Sequence, residues 1–141
     1  MISHPTWIIV ADGGGARFFV RLLQDLPLRE IEELAETADL LHGADKTHDH
    51  VGHGHHAVLA RTTPHERAEH VFLRKVAGQI DRAVIENEVG SLVLCAPPRA
   101  LGLLRDFISE NARRLIACEI VKDAVHEPVA SIDARMKAHL V

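Results

Sequence analysis

From Thr6 to Asp12 the chain reads as one continuous apolar segment, the pattern of a strand covered on both faces. The run reaches Asp12 and stops at Gly13-Gly14-Gly15. Arg17 to Leu22 then places Phe18, Val20 and Leu22 on one face and Arg17, Phe19 and Arg21 on the other, a period of two. Strand, glycine turn and strand predict a hairpin in which the glycines supply positive φ. A phosphate cradle, the other use of such a run, would open a helix. After Pro27, LREIEELAE mixes good helix formers with a weak alternation and is read as a third strand. Residues from about Thr37 to Thr62 hold glycines, polar residues and six histidines without apolar period, so a long excursion is expected there.

Thr63-Pro64-His65-Glu66 has the form of a capping box, with proline at the first helical position. The helix it opens carries Phe72, Leu73, Val76, Ala77, Ile80, Ala83 and Val84 at spacings of three and four and is expected to run to about Glu88. Gly90 closes it, and Ser91 to Ala96 reads as a buried strand. Pro97-Pro98 then opens a second helix bearing Leu101, Leu104, Phe107, Ile108, Ala112 and Leu115. Cys118 to Lys122 is the fifth strand, and Pro128 opens a last helix with Val129, Ile132, Met136 and Leu140 on one face.

These elements predict a single α/β domain over residues 1–141, with a His-rich loop at about 37–62. Their order is β-β-β-α-β-α-β-α, which suits a mixed five-stranded sheet of ribonuclease-H-like topology. Helical crossovers make strands 1, 4 and 5 parallel, and sheet order 3-2-1-4-5 brings their carboxyl ends to one rim, where open α/β sheets hold ligands. Asp12, Arg99, Lys122, Asp123 and His126 fall on that rim.

Composition narrows the function classes. The 141 residues suffice for one core, and 47% hydrophobic with 26% charged residues is the balance of a globular domain. No apolar run approaches the roughly 20 residues that cross a bilayer. The amino terminus lacks a basic, signal-like start, so a cytoplasmic location is expected. A net charge of -4 provides no general field for nucleic acid, and the absence of Tyr leaves few stacking platforms. The basic residues are 12 Arg to 4 Lys, which suits bidentate recognition of phosphate or carboxylate, although genome composition produces the same bias. Cys95 and Cys118 sit in apolar strand-like runs and read as core thiols.

The segments TWIIVADGGGARFF, RTTPHERAEHVFLRKVA, LVLCAPPRALGLLR and EIVKDAVHEP, in this order, resemble the bacterial host attachment family, described as required for attachment to host cells. The resemblance covers nearly the whole chain. It implies a fold distantly similar to the middle domain of the release-factor and Pelota group, and with it a ribosome or RNA connection. Two departures from the family pattern are the histidine-rich Asp49 to His56 and Val125, which stands where a Thr commonly precedes the late His and so removes a hydroxyl from the predicted rim.

Three constellations compete for a role. Arg99, Lys122 and His126, beside a helix opened by Pro98, and Asp12 at the end of the first strand form a candidate anion or ligand site; the alternatives are local ion pairs and a self-bonded turn aspartate. His48, His50, His53, His55 and His56 offer imidazoles for Zn or Ni without the spacing of a recognised site. His65-Glu66 with His70 is not a zincin pair, since the second His lies at i+5, about 140° around the helix. A two-metal nuclease would need several converging carboxylates, and strand 4 ends in Cys95-Ala96-Pro97 with none. No nucleophile elbow or Walker loop is present. The expectation is therefore a non-enzymatic cytoplasmic binding module, able to oligomerise and supporting attachment indirectly. A ribosome-binding or RNA-binding factor and a weak metal-dependent hydrolase or nuclease are the alternatives.

Overall fold

The first apolar run forms β1 (Thr6–Ala11) in the computed structural model of the chain, which describes residues 4–23, 26–37 and 63–140. It turns through the glycines into β2 (Gly15–Arg21), paired antiparallel from Ala11 opposite Ala16 to Thr6 opposite Arg21. The stretch read as one third strand is divided. β3 (Arg29–Glu30) and β4 (Glu36–Thr37) both pair with β2, and a 3-10 turn at Glu32–Leu34 separates them. The turn lets Ile31 and Leu34 pack against the core, which a continuous strand of this sequence would not do.

The long helix α1 (Pro64–Ile85) begins with the expected capping box: Thr63 Oγ1 accepts the Glu66 N–H at 3.0 Å, and the Thr63 N–H donates to Glu66 Oε1 at 3.0 Å. It ends before Glu88, because Asn87 adopts φ 60° and the Glu88 N–H turns back to the Ala83 carbonyl at 2.9 Å. Gly90 has a different duty. Its N–H reaches the Pro5 carbonyl, and a Cβ there would lie 2.7 Å from that of His4. β5 (Ser91–Ala96) follows and lies parallel to β1.

Pro98 opens α2 (Pro98–Phe107), but the expected single helix breaks at Ser109. The Ser109 N–H donates to Asp81 Oδ1 at 2.8 Å, and its hydroxyl caps α3 (Glu110–Arg114) by accepting the Ala112 N–H at 3.1 Å. β6 (Ile116–Val121) lies parallel to β5, and α4 (Val129–Leu140) closes the chain. The sheet order β3-β2-β1-β5-β6, with β4 also on β2, contains the expected sequence of strands in one mixed sheet.

Both faces of that sheet are covered. Trp7, Ile9, Phe18, Val20, Leu92 and Leu94 pack against α1, α2 and α3. Ile8, Val10, Phe19, Val93, Cys95 and Ile120 pack against Ile132 and Met136 of α4. Arg17 and Arg21, on the Phe19 face of the hairpin, therefore lie beneath the β6–α4 connection and α4 rather than in solvent. Arg21 is 7% exposed and pairs with Asp133 at 2.9 Å. Among the described residues no helix is long and apolar enough to cross a membrane.

Candidate functional site

Parallel β1, β5 and β6 end on the same side of the sheet, so the glycine turn, the start of α2 and the β6–α4 connection form one rim. Asp12 shapes the turn: its Oδ1 accepts the N–H groups of Gly14 at 2.8 Å and Gly15 at 2.7 Å. That oxygen is committed to the backbone, as the turn-aspartate alternative anticipated. At Gly13 a Cβ would come 2.5 Å from Glu69 Oε2 of α1, so a larger residue there would displace the end of that side chain.

Arg99 reaches α1. Its Nη1 stands 3.4 Å from Glu66 Oε2 and its Nε 3.5 Å from Glu69 Oε1, while His65 Nε2 lies 3.2 Å from Glu69 Oε2. The sequence pointed to no more than a local ion pair for Arg99 and missed both glutamates. The only signal for them was their i, i+3 spacing, which puts them on one face of α1 without saying what that face meets. The Thr63 N–H, with Arg99 beside it, holds the Glu66 carboxyl below the usual carboxylate range.

Lys122, Asp123 and His126 are exposed on the β6–α4 connection. The Lys122 N–H donates to the Ala96 carbonyl at 3.0 Å, which sets it beside the start of α2. Ala124 and Val125 are buried and peg the connection down. Val125 points inward, its Cγ2 only 3.7 Å from where a Cβ on Gly15 would stand, so a hydroxyl at this position would face the hairpin and not the open rim. From below, Arg17 Nη1 donates to the carbonyls of Val125 at 3.0 Å and Glu127 at 2.6 Å. The same guanidinium grips Glu30 at 2.9 and 3.0 Å, and Arg135 grips the Glu127 carboxylate at 3.0 Å.

Among the described residues the amino end of α2 is bare. Pro97 in the cap position offers no side-chain hydrogen bond, Pro98 has no N–H, and the Leu101 N–H is the one that returns to the Pro97 carbonyl, at 2.9 Å. The Arg99 and Ala100 amides thus have no partner within the helix. On the opposite face of the sheet, against α4, burial pushes the Cys95 thiol up to about 11, and its Sγ lies 3.7 Å from the Lys122 carbonyl. It is no nucleophile at neutral pH.

The Arg17 hydrogen bond holds the Glu30 carboxyl below its ordinary range. A depressed carboxylate stabilises the fold fully above its unfolded pKa, and that contribution is lost as pH falls through the lower, folded one. The urea midpoint is therefore expected to drop more steeply below about pH 4 in the wild type than in Glu30→Gln. Parallel acid limbs in the two proteins would refute a role for the pair.

His48, His50, His53, His55 and His56 lie outside the described residues. Among those that are described, no three His, Cys, Asp or Glu side chains gather as metal ligands.

A family model described as "Protein required for attachment to host cells" matches residues 7–136. Among solved structures, the archaeal translation termination factor aRF1 aligns with 96% of this chain at TM-score 0.54 and 11% identity. The chain spans only 37% of that protein, and at this identity the likeness establishes the fold alone. A second solved chain, described as an archaeal protein, aligns over 96% of this chain and 36% of its own, with TM-score 0.49 and 11% identity. No curated protein matches the sequence.

Proposed function

The chain belongs to the family of proteins required for attachment to host cells, and on that premise we propose that it is a non-enzymatic, cytoplasmic binding module holding an anionic ligand at the carboxyl rim. Its part in attachment is then indirect, through what the module binds inside the cell. The observation that carries this reading is the uncapped start of α2, with Lys122 one hydrogen bond from the end of β5. Two free amides, the positive end of the helix and a lysine are a set that favours phosphate or carboxylate. Arg99 contributes its backbone N–H here, since Glu66 and Glu69 hold its guanidinium, and Asp12 shapes the adjoining turn.

Titration with inorganic phosphate, followed by amide chemical shifts, tests the reading. Saturable shifts are expected at Arg99, Ala100 and Lys122, and Lys122→Ala with His126→Ala should weaken them roughly tenfold, the worth of one charge-assisted hydrogen bond. Shifts that never saturate at these amides would end the proposal.

A translation-associated role is the second reading, favoured by the fold likeness to the termination factor. It requires co-sedimentation with ribosomes that Lys122→Glu abolishes; absence from every ribosomal fraction removes it. Hydrolysis draws less support from the rim groups, because one Asp12 oxygen is bound to its own turn and the Cys95 thiol stays protonated.

A further inference from the structure

The outward face of α1 carries a pattern that its own fold does not use. Val71 and Ile85, 69% and 78% exposed, are the two most exposed large hydrophobic side chains among the described residues. Midway between them stands Gly78, where a Cβ would meet nothing within 4 Å among those residues. Successive steps of seven keep the three on one stripe, with Val71 and Ile85 about 21 Å apart. Glycine inside a helix costs about 1 kcal/mol against alanine, and no contact among the described residues requires it here.

We infer that a second copy of the chain packs on this stripe, its α1 running antiparallel and crossing at Gly78. The spacing is symmetric about the glycine, so a two-fold axis there sets Val71 of each copy against the partner's Ile85 and lets the backbones approach at the crossing. Charge selects the direction. The exposed Arg74 and Lys75 lie toward the amino end of the stripe, while the half-buried Asp81, one of whose oxygens accepts the Ser109 N–H, and the exposed Glu86 lie toward its carboxyl end. Antiparallel crossing turns the cations of each copy toward the partner's acids, whereas a parallel pair would stack like on like. Arg82, which falls near the partner's Arg74, carries its own counter-ion in Glu86 at 3.4 Å. Lys75 and Arg74 touch Glu36 and the Phe107 ring within their own chain, contacts that leave other ammonium and guanidinium N–H groups free to reach across. One aliphatic contact on each side of a glycine crossing makes a small interface and hence a weak dimer.

Sedimentation velocity from about 10 µM to about 1 mM brackets such an association. A concentration-dependent dimer is expected for the wild type. Val71→Glu with Ile85→Glu should weaken it by at least roughly tenfold while leaving the thermal midpoint unchanged, because both side chains are exposed in the monomer. Gly78→Leu separates packing from fold stability: better helix propensity should raise the thermal midpoint by a few degrees, yet the added side chain blocks the crossing and the dimer is lost. Gly78→Cys, with Cys118→Ser to silence the half-buried thiol, should cross-link two chains under mild oxidation. A protein that stays monomeric over the whole range, or a dimer indifferent to these substitutions, overturns the inference.

Discussion

Arg17→Met is expected to destabilise the domain by about 3 kcal/mol, between the worth of a charged hydrogen bond and that of a fully buried pair. Methionine keeps an aliphatic stem over Phe19, where the guanidinium now sits 5.1 Å from the ring centre, so the loss isolates the polar contacts. Glu30, only 16% exposed at its side chain, is left without its counter-ion, and the carbonyls of Val125 and Glu127 lose their donor. The second effect is local: the connection bearing Lys122 and His126 is tied to β2 by these bonds. Amide hydrogen exchange over residues 122–127 should accelerate more than global stability requires, and a double-mutant cycle with Glu30→Gln separates the ion pair from the tether. Exchange that tracks only the global loss would refute the tether.

Phe18→Ala and Phe19→Ala should each cost about 3–5 kcal/mol, measured by denaturant unfolding. The two rings point to opposite faces of β2 and both are fully buried: Phe18 makes an edge contact with Trp7 at 6.3 Å, and Phe19 packs beneath α4. In a sheet with one wet face, only one of the pair would matter. A cost below about 1 kcal/mol at either position would mean that its helical layer is not seated as described.

That pair also marks how far the sequence could be read. Local signals carried the hairpin at Asp12 to Gly15, the capping box at Thr63 and the proline start of α2, because each is decided by a few adjacent residues. The parallel order of β1, β5 and β6 followed from the helices between them. The alternation Arg17, Phe19, Arg21 did not say what covers that face, because the covering is polar in part: besides nearby Glu30, its arginines reach Asp133 and the Val125 and Glu127 carbonyls, all more than a hundred positions away. The same limit hid Arg99's partners, which come from α1 across 33 positions. Where LREIEELAE and the second long helix were cut, the cause was again tertiary: Ile31 and Leu34 turn to the core, and Asp81 captures the Ser109 N–H. The rim was legible as a place. The state of its charges was not.

Cys95, at the carboxyl end of β5, turns its side chain toward α4, on the face of the sheet away from α2. With its thiol at about 11, only about one molecule in 10⁴ carries a thiolate at neutral pH. Peroxide, disulfide exchange and alkylation all begin from that anion, so the oxidation ladder has no first rung here. This thiol should thus stay unmodified in reducing and oxidising surroundings alike.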